Sequence, residues 1–172
     1  LHVSRSLVEL GSIERTVGNT AKALADFKKV VSDYPNTMSA EDALEAIEAI
    51  YKSQNDPRAY IAYIEQVGLG GTKSPAQRES MIFDAAEQIY LGGDMASALT
   101  AFTRYFNDYP EPMFAEKGWY YLGEIHRRTS NSAKALEYYD KVRSAGDGPY
   151  VELALKNYAE ISYSMQRYEP AY

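Results

Sequence analysis

Small and aromatic residues recur along the chain in a fixed order and with helical spacing. Alanine stands at five places separated by 36, 39, 37 and 36 residues, and an aromatic residue follows four positions after each of the first four. The alanines are Ala23, Ala59, Ala98, Ala135 and Ala171, and the aromatic residues are Phe27, Tyr63, Phe102 and Tyr139. Residues four positions apart lie on one face of an α-helix. The pattern predicts helical hairpins in which alanine allows close helix contact and the aromatic ring fills the space beside it.

Proline and glycine lie between these periodic segments. The sequence Asp-Tyr-Pro occurs twice, and its prolines, Pro35 and Pro110, stand 75 residues apart, which is two repeat lengths. Each proline is expected to end the second helix of a hairpin, because proline cannot continue a helix. The hairpins are predicted at about 7–33, 40–67, 75–108 and 113–145, with a partial one from 150.

Polar residues mark the expected helix starts. Second helices are predicted to begin after the N-caps Asp56, Asp94 and either Asn131 or Ser132. Two first helices are predicted to begin at capping boxes, formed by Ser39 with Asp42 and by Ser74 with Gln77.

The fourth segment carries a family signature. Trp119, Leu122-Gly123, Ala135 and Tyr139 resemble the W-x2-L-G-x2-Y…A-x3-F pattern of the tetratricopeptide repeat (TPR), with His126 where the family prefers Tyr. The resemblance implies an all-α fold, a TPR α-solenoid of antiparallel hairpins that form a right-handed superhelix. Residues 1–172 are then a single array, expected to be a fragment of a longer protein, with repeats at about 4–37, 40–73, 75–112, 113–148 and a partial fifth at 149–172.

The repeats are longer than the standard 34 residues. The additional residues follow the second helix, as in the segments DYPNTMSAED and DYPEPMFAEKG. Long TPRs that end in Tyr-Pro resemble a branch of the family found in periplasmic and outer-membrane-associated proteins of Gram-negative bacteria. The resemblance implies a periplasmic or outer-membrane-associated location, with the cytoplasm as the alternative.

The amino-acid composition limits the kinds of partner that are expected. The chain has 18 Lys+Arg against 24 Asp+Glu and a net charge of −6, which argues against nucleic acid as a partner because phosphate binding needs a basic surface. No apolar stretch approaches 18 residues, so direct membrane insertion is not expected. Cysteine is absent, which excludes disulfides and thiolate metal sites.

No group of residues predicts catalysis. His126 occupies a core aromatic position and His2 lies at the chain start, so neither histidine is expected to act in catalysis. The glycine-rich segment GLGGTKS lacks the spacing of a phosphate-binding loop and is predicted to be an inter-repeat loop. We therefore expect no enzyme activity, no catalytic residue, no metal ion and no cofactor.

The resemblance also implies a binding groove lined by the first helix of each repeat. The ninth residue of the repeat, which faces the groove in the family, is Glu in four consecutive repeats, beside a row of Tyr and Arg. The groove residues carried over from the family are Glu48, Tyr51, Phe83, Glu87, Tyr90, Tyr120, Glu124, Arg127, Glu160 and Tyr163. Tyr and Arg are frequent binding hot spots, and the glutamates could pair with a basic partner. The alternative is that they are solvated or pair with Lys52, Arg127 and Arg128 of the groove itself.

A protein or peptide partner is the leading expectation, and the chain is then a non-catalytic scaffold. Positions that clamp a C-terminal carboxylate in some TPRs are mostly not matched here, Lys117 being the exception, so an acidic C-terminal peptide is not expected to bind. One alternative is a structural segment that self-associates end to end, since the chain stops inside a predicted helix. Another is the framework of a carbohydrate-binding or enzyme assembly.

Overall fold

The protein consists of α-helices joined by short turns. A computed structural model describes residues 2–167, and the side chains of residues 2–165. Within this range there are nine α-helices and no β-strand. The helices are α1 (His2–Thr16), α2 (Thr20–Asp33), α3 (Met38–Ser53), α4 (Pro57–Gln66), α5 (Pro75–Leu91), α6 (Met95–Asp108), α7 (Ala115–Arg128), α8 (Ser132–Ser144) and α9 (Val151–Arg167). The predicted all-α helical-repeat fold is confirmed.

The same type of turn joins the two helices of each described hairpin. One residue in each turn has a positive φ: Gly18 (88°), Asn55 (54°), Gly93 (88°) and Ser130 (61°). A left-handed residue allows the chain to leave one helix and enter an antiparallel neighbour within a few residues. The longer segment 67–74, which includes GLGGTKS, contains a single 3-10 turn, Gly70–Thr72.

Most helix starts are capped as predicted. The side chains of Asp56, Asp94 and Asn131 accept backbone N–H bonds from Ala59, Ser97 and Lys134. Ser74 and Gln77 form the predicted reciprocal capping box. The capping box predicted at Ser39 is wrong. Thr37 is the N-cap of α3, and its Oγ1 accepts from the Ala40 N–H at 3.2 Å.

The contacts divide the chain into an N-terminal unit (residues 1–85) and a C-terminal unit (residues 86–172), with the boundary inside α5. In the N-terminal unit, α1 crosses α2 at Gly11. A Cβ at Gly11 would stand 2.8 Å from Cε1 of Phe27, whose side chain is fully buried. The core continues through Val30, Ile47 and Ile64. The missing side chain of Gly11 therefore sets the distance between the first two helices.

The C-terminal unit repeats this arrangement at α7 and α8. A Cβ at Gly123 would stand 2.7 Å from Cε1 of the buried Tyr139. Leu122 and Ile125 of α7 are also buried, and Ala154 and Ile161 of α9 pack onto the core that includes Tyr139. The Leu-Gly signature thus marks a point where two helices touch.

The alanine pattern is explained by packing at most of its positions. Ala23, Ala98 and Ala135 are completely buried. Ala59 is half-buried, and the neighbouring Tyr60 is buried in the core. Ala171 lies outside the described residues.

Candidate functional site

Glu48 and Tyr51 of α3 represent the predicted groove in the N-terminal unit. Glu48 forms an ion pair with Lys73, which lies in the segment before α5, with 2.9 Å between Oε1 and Nζ. Lys28 of α2 donates a hydrogen bond to the Tyr51 hydroxyl at 2.9 Å, and its ammonium lies over the rings of Tyr51 and Tyr63. Both predicted residues are therefore half-buried and held by side chains of other segments.

Glu87 of α5 is held by two residues of α7. Its Oε1 accepts a hydrogen bond from the Tyr121 hydroxyl at 2.5 Å and forms an ion pair with Lys117 at 2.6 Å. Burial raises the pKa of Glu87, but the hydrogen bonds from Lys117 and Tyr121 outweigh it, so the net pKa lies below the ordinary value. The carboxylate is charged at neutral pH and is already neutralised within the protein.

Glu124 of α7 lies at the centre of a buried polar network. Only 4% of this residue is exposed. Its Oε1 accepts hydrogen bonds from the Tyr139 hydroxyl of α8 at 2.5 Å and from Asn157 Nδ2 of α9 at 2.6 Å. Its Oε2 accepts from Arg127 Nη2 at 2.7 Å. Burial raises the pKa of Glu124, but the hydrogen bonds from Arg127 and Tyr139 and the charges of Arg127 and Arg128 lower it overall.

The remaining predicted groove residues differ in exposure. Phe83 and Tyr90 of α5 are 1% and 7% exposed, so both are core residues. Tyr90 packs against Tyr121, and Arg128 lies over its ring. Tyr120 is half-buried and contacts Tyr150 with 5.1 Å between ring centroids. Arg127, Glu160 and Tyr163 are exposed.

The glutamate row thus links successive repeats. In the C-terminal unit, Glu87 joins α5 to α7 and Glu124 joins α7 to α9, at sequence separations of 34 and 33 residues. The internal pairing that the sequence left open is present for Glu124 with Arg127. Glu160 is exposed and makes no ion pair or hydrogen bond with any side chain that the structure describes.

Sequence reasoning missed the partners of the glutamates. These partners are Lys73, Lys117, Tyr121, Tyr139 and Asn157. One signal was available, because Tyr121 and Asn157 each stand about one repeat length after the glutamate they contact.

Two further observations concern the histidine at position 126 and possible metal sites or membrane-spanning segments. His126 stacks on Tyr138 with 5.5 Å between ring centroids, as expected of a packed aromatic position, and burial lowers its pKa. Among residues 2–167 no three His, Cys, Asp or Glu side chains are grouped closely enough to hold a metal ion, and no helix is long and apolar enough to span a membrane.

The architecture defines a class, that of proteins built from repeated α-hairpins. Within that class, the family model of the tetratricopeptide repeat matches residues 4–37, which comprise most of α1, all of α2 and the turn that follows. Residues 4–37 therefore match a tetratricopeptide repeat, and the resemblance to this family is confirmed at that segment.

Solved structures that this chain matches include a tetratricopeptide repeat protein from Parabacteroides merdae ATCC 43184, at 15% identity and a TM-score of 0.47. The match covers 95% of this chain and 62% of that one, so this chain spans less than two thirds of its length. Two structures of MamA match at 19% and 18% identity, each with a TM-score of 0.39. These matches cover 98% and 91% of this chain and 97% and 95% of the MamA chains. At these TM-scores the likeness supports no conclusion about function. No curated protein matches the chain.

Proposed function

We propose that this protein is a non-catalytic scaffold that binds a protein or peptide segment along the first-helix face. By first-helix face we mean the surface formed, within each unit, by the predicted groove residues of the first helices. Proteins built from TPRs are generally non-catalytic scaffolds for protein–protein interaction, and the tetratricopeptide repeat at residues 4–37 supports that role for this chain.

The observation that carries the proposal is the linkage of three first helices in the C-terminal unit. The bonds of Glu87 to Lys117 and of Glu124 to Asn157 hold α5, α7 and α9 side by side. A surface held in this way needs little rearrangement when a partner binds, which reduces the entropic cost of association.

The exposed side chains of this face in the C-terminal unit are Arg127, Arg128, Glu160 and Tyr163, whereas Glu87 and Glu124 are enclosed by internal partners. Tyr and Arg contribute large shares of binding energy at protein interfaces. The partner is therefore expected to contact the exposed Tyr and Arg residues more than Glu87 and Glu124.

A combined Arg128→Ser and Tyr163→Ser variant tests this surface. A peptide selected on the immobilised protein from a random displayed library is expected to lose about tenfold or more in affinity for this variant, because exposed Tyr and Arg act as anchors. Fluorescence anisotropy measures the affinity. Arg104→Ser on α6, which also removes an exposed cation, is the matched control and should bind as the wild type does. Unchanged affinity in the double variant would contradict the proposal.

An acidic C-terminal peptide is expected to give no heat of binding in titration calorimetry. Lys117 is the one residue that matches a carboxylate-clamp position, and it is already paired with Glu87 at 2.6 Å. Micromolar binding of such a peptide, abolished by Lys117→Ala, would show that the clamp operates.

A second candidate function, self-association, is favoured by an apolar stripe on α1. Val3, Leu10 and Ile13 lie along one side of α1, Val17 follows in the turn after the helix, and all four are 40–65% exposed. In α7, the residues equivalent to Leu10 and Ile13 are Leu122 and Ile125, and both are buried. A stripe that is buried in one repeat and exposed in another indicates a docking surface, and we propose a second copy of the chain as its occupant.

Leu10→Glu combined with Ile13→Glu is expected to convert a self-associated species into a monomer, because charge at an apolar contact is costly to bury. Light scattering across a concentration series measures the change. Ser12→Glu, on an exposed position of the same helix, is the control and should leave the mass unchanged. A wild-type protein that stays monomeric at every concentration would remove this candidate.

A role as framework of a carbohydrate-binding or enzyme assembly, and a periplasmic or outer-membrane-associated location, stay predictions from the family resemblance.

A further inference from the structure

A cleft in the N-terminal unit adjoins the first-helix face, because its residues Glu41 and Leu44 lie on the same side of α3 as Glu48 and Tyr51. It is bounded by the end of α2, the beginning of α3 and the segment after α4, and its volume is about 510 Å³. Its lining residues are Val31, Ser32, Pro35, Asn36, Thr37, Ala40, Glu41, Leu44, Val67, Leu69 and Thr72. Sites that bind small molecules or single side chains have volumes of about 300–1,000 Å³ and a mainly apolar lining, so this cleft falls within their range.

The floor of the cleft is apolar and its rim is polar. Val31 and Ala40 are buried, and Leu44 and Leu69 pack against the core of the unit. Asn36, at the rim, is exposed. An apolar side chain that enters the cleft would leave water and contact the apolar floor. The residues next to it in the partner would remain at the polar rim.

The equivalent junction between α6 and α7 of the C-terminal unit is filled by aromatic side chains. Counted from the repeat anchors, Phe106 corresponds to Val31 and Tyr120 to Leu44. Phe106 stacks on Trp119 with 5.9 Å between ring centroids, and Tyr120 contacts Tyr150 at 5.1 Å. The smaller residues Val31 and Leu44 leave space where the other junction holds rings. An aromatic side chain supplied by a partner is the group whose shape fits this space.

The negative charge at the rim of the cleft favours a basic residue next to the aromatic side chain of the partner. Glu41 is the one charged residue of the lining, it is exposed, and it forms no ion pair or hydrogen bond with any described side chain. It lies in the first turn of α3. An unpaired carboxylate beside an apolar cavity attracts a Lys or Arg next to the group that fills the cavity.

We propose that this cleft binds a peptide segment in which an aromatic residue is adjacent to Lys or Arg, with the ring in the cavity and the cation at Glu41. This inference rests on the proposed function, because the site extends the first-helix face of the N-terminal unit and gives the scaffold a second contact with its partner or partners. Two weak contacts on one scaffold can act together to give a stronger overall interaction.

The experiment is a titration of the ¹⁵N-labelled protein with three peptides that share a blocked Gly-Ser frame and carry Trp-Lys, Trp-Glu or Ser-Lys at the centre. The Trp-Lys peptide is expected to shift the amide signals of Val31, Leu44 and Leu69, and the other two to bind about tenfold more weakly or not at all. Leu44→Tyr and Val31→Phe each introduce an aromatic residue of the other junction. Circular dichroism checks that each variant is folded. A folded Leu44→Tyr or Val31→Phe protein should no longer show the shifts.

The charge is tested separately with surface variants. Glu41→Lys should weaken the Trp-Lys peptide about tenfold and strengthen the Trp-Glu peptide. Asp42→Lys is the matched control, because Asp42 is an exposed acidic neighbour in the same helical turn but does not line the cleft. It should change the affinity about threefold or less.

Several results would overturn the proposal. Shifts confined to the C-terminal unit, or equal binding of the Trp-Lys and Trp-Glu peptides, would exclude this site. Shifts that grow with protein concentration in the absence of peptide would identify a second copy as the occupant instead. None of these results would bear on Arg128 and Tyr163, so the first-helix face of the C-terminal unit is tested independently.

Discussion

Replacing Glu124 by Ala is expected to lower the free energy of unfolding by about 3 kcal/mol. The substitution removes a buried carboxylate that accepts hydrogen bonds from Tyr139, Asn157 and Arg127, on three different helices. The Tyr139 hydroxyl, which is buried, would lose its acceptor, and a buried polar group without a partner is costly. Urea unfolding followed by circular dichroism measures the change. Glu137→Ala, which removes an exposed carboxylate on α8, is the control and should leave the unfolding midpoint almost unchanged.

The pH dependence distinguishes the charge of Glu124 from its packing. Its pKa in the folded protein lies below the ordinary value of 4.5, so its charge stabilises the fold above pH 4.5. That stabilisation is lost as the pH falls from 4.5 through the folded pKa. Glu124→Gln keeps the shape and lacks the charge, so the difference in stability between wild type and Glu124→Gln should shrink below pH 4.5. A difference that stays constant from pH 7 to pH 3 would show that the charge is unimportant.

Gly123→Ala is expected to destabilise the protein by about 2 kcal/mol, although alanine favours helices over glycine by up to about 1 kcal/mol. A Cβ at this position would stand 2.7 Å from Cε1 and 2.8 Å from Cδ1 of Tyr139. The ring has little freedom to move, because Tyr139 is buried and its hydroxyl is bonded to Glu124. The helices α7 and α8 must separate to admit the methyl group.

The control for this prediction is Gly71→Ala, since a Cβ at Gly71 meets no atom within 4 Å. Its unfolding midpoint in urea should differ little from that of the wild type. Gly11→Ala repeats the test in the N-terminal unit, where the obstacle is the Phe27 ring at 2.8 Å. A Gly123→Ala protein as stable as the wild type would mean that this helix crossing can widen without loss.

Much of the local structure could be predicted because its causes are local. The N-caps Asp56, Asp94 and Asn131 act on backbone groups three residues away. The hairpin helices follow a helical spacing of apolar and small residues that is visible along the chain. The prediction failed at Ser39, where two polar residues near one helix start, Thr37 and Ser39, could each serve as cap. The turn geometry decided between them.

The site residues are harder to predict than the helices. A position in the repeat indicates which way a side chain points, but not how exposed that side chain is. The family resemblance predicts Phe83 and Tyr90 as groove residues, but both are buried. It predicts that Glu124 faces a partner, but Glu124 is enclosed by Tyr139, Asn157 and Arg127. Whether such a side chain faces solvent depends on residues of the next repeat, whose contacts are not visible from the position alone.

The sequence by itself determined the helical repeat, with its small and aromatic residues at helical spacing. When a small residue of one helix is followed by an aromatic residue in the next helix, the ring packs against the small residue and the two helices come close together. Only the tertiary structure decided which side chains hold the repeats together and which remain exposed. It paired Glu87 and Glu124 with basic side chains, and it left Glu41 beside an open cleft without an ion pair to any described side chain. The reason is that charges and cavities depend on atoms about one repeat away, and those atoms meet only when the helices pack.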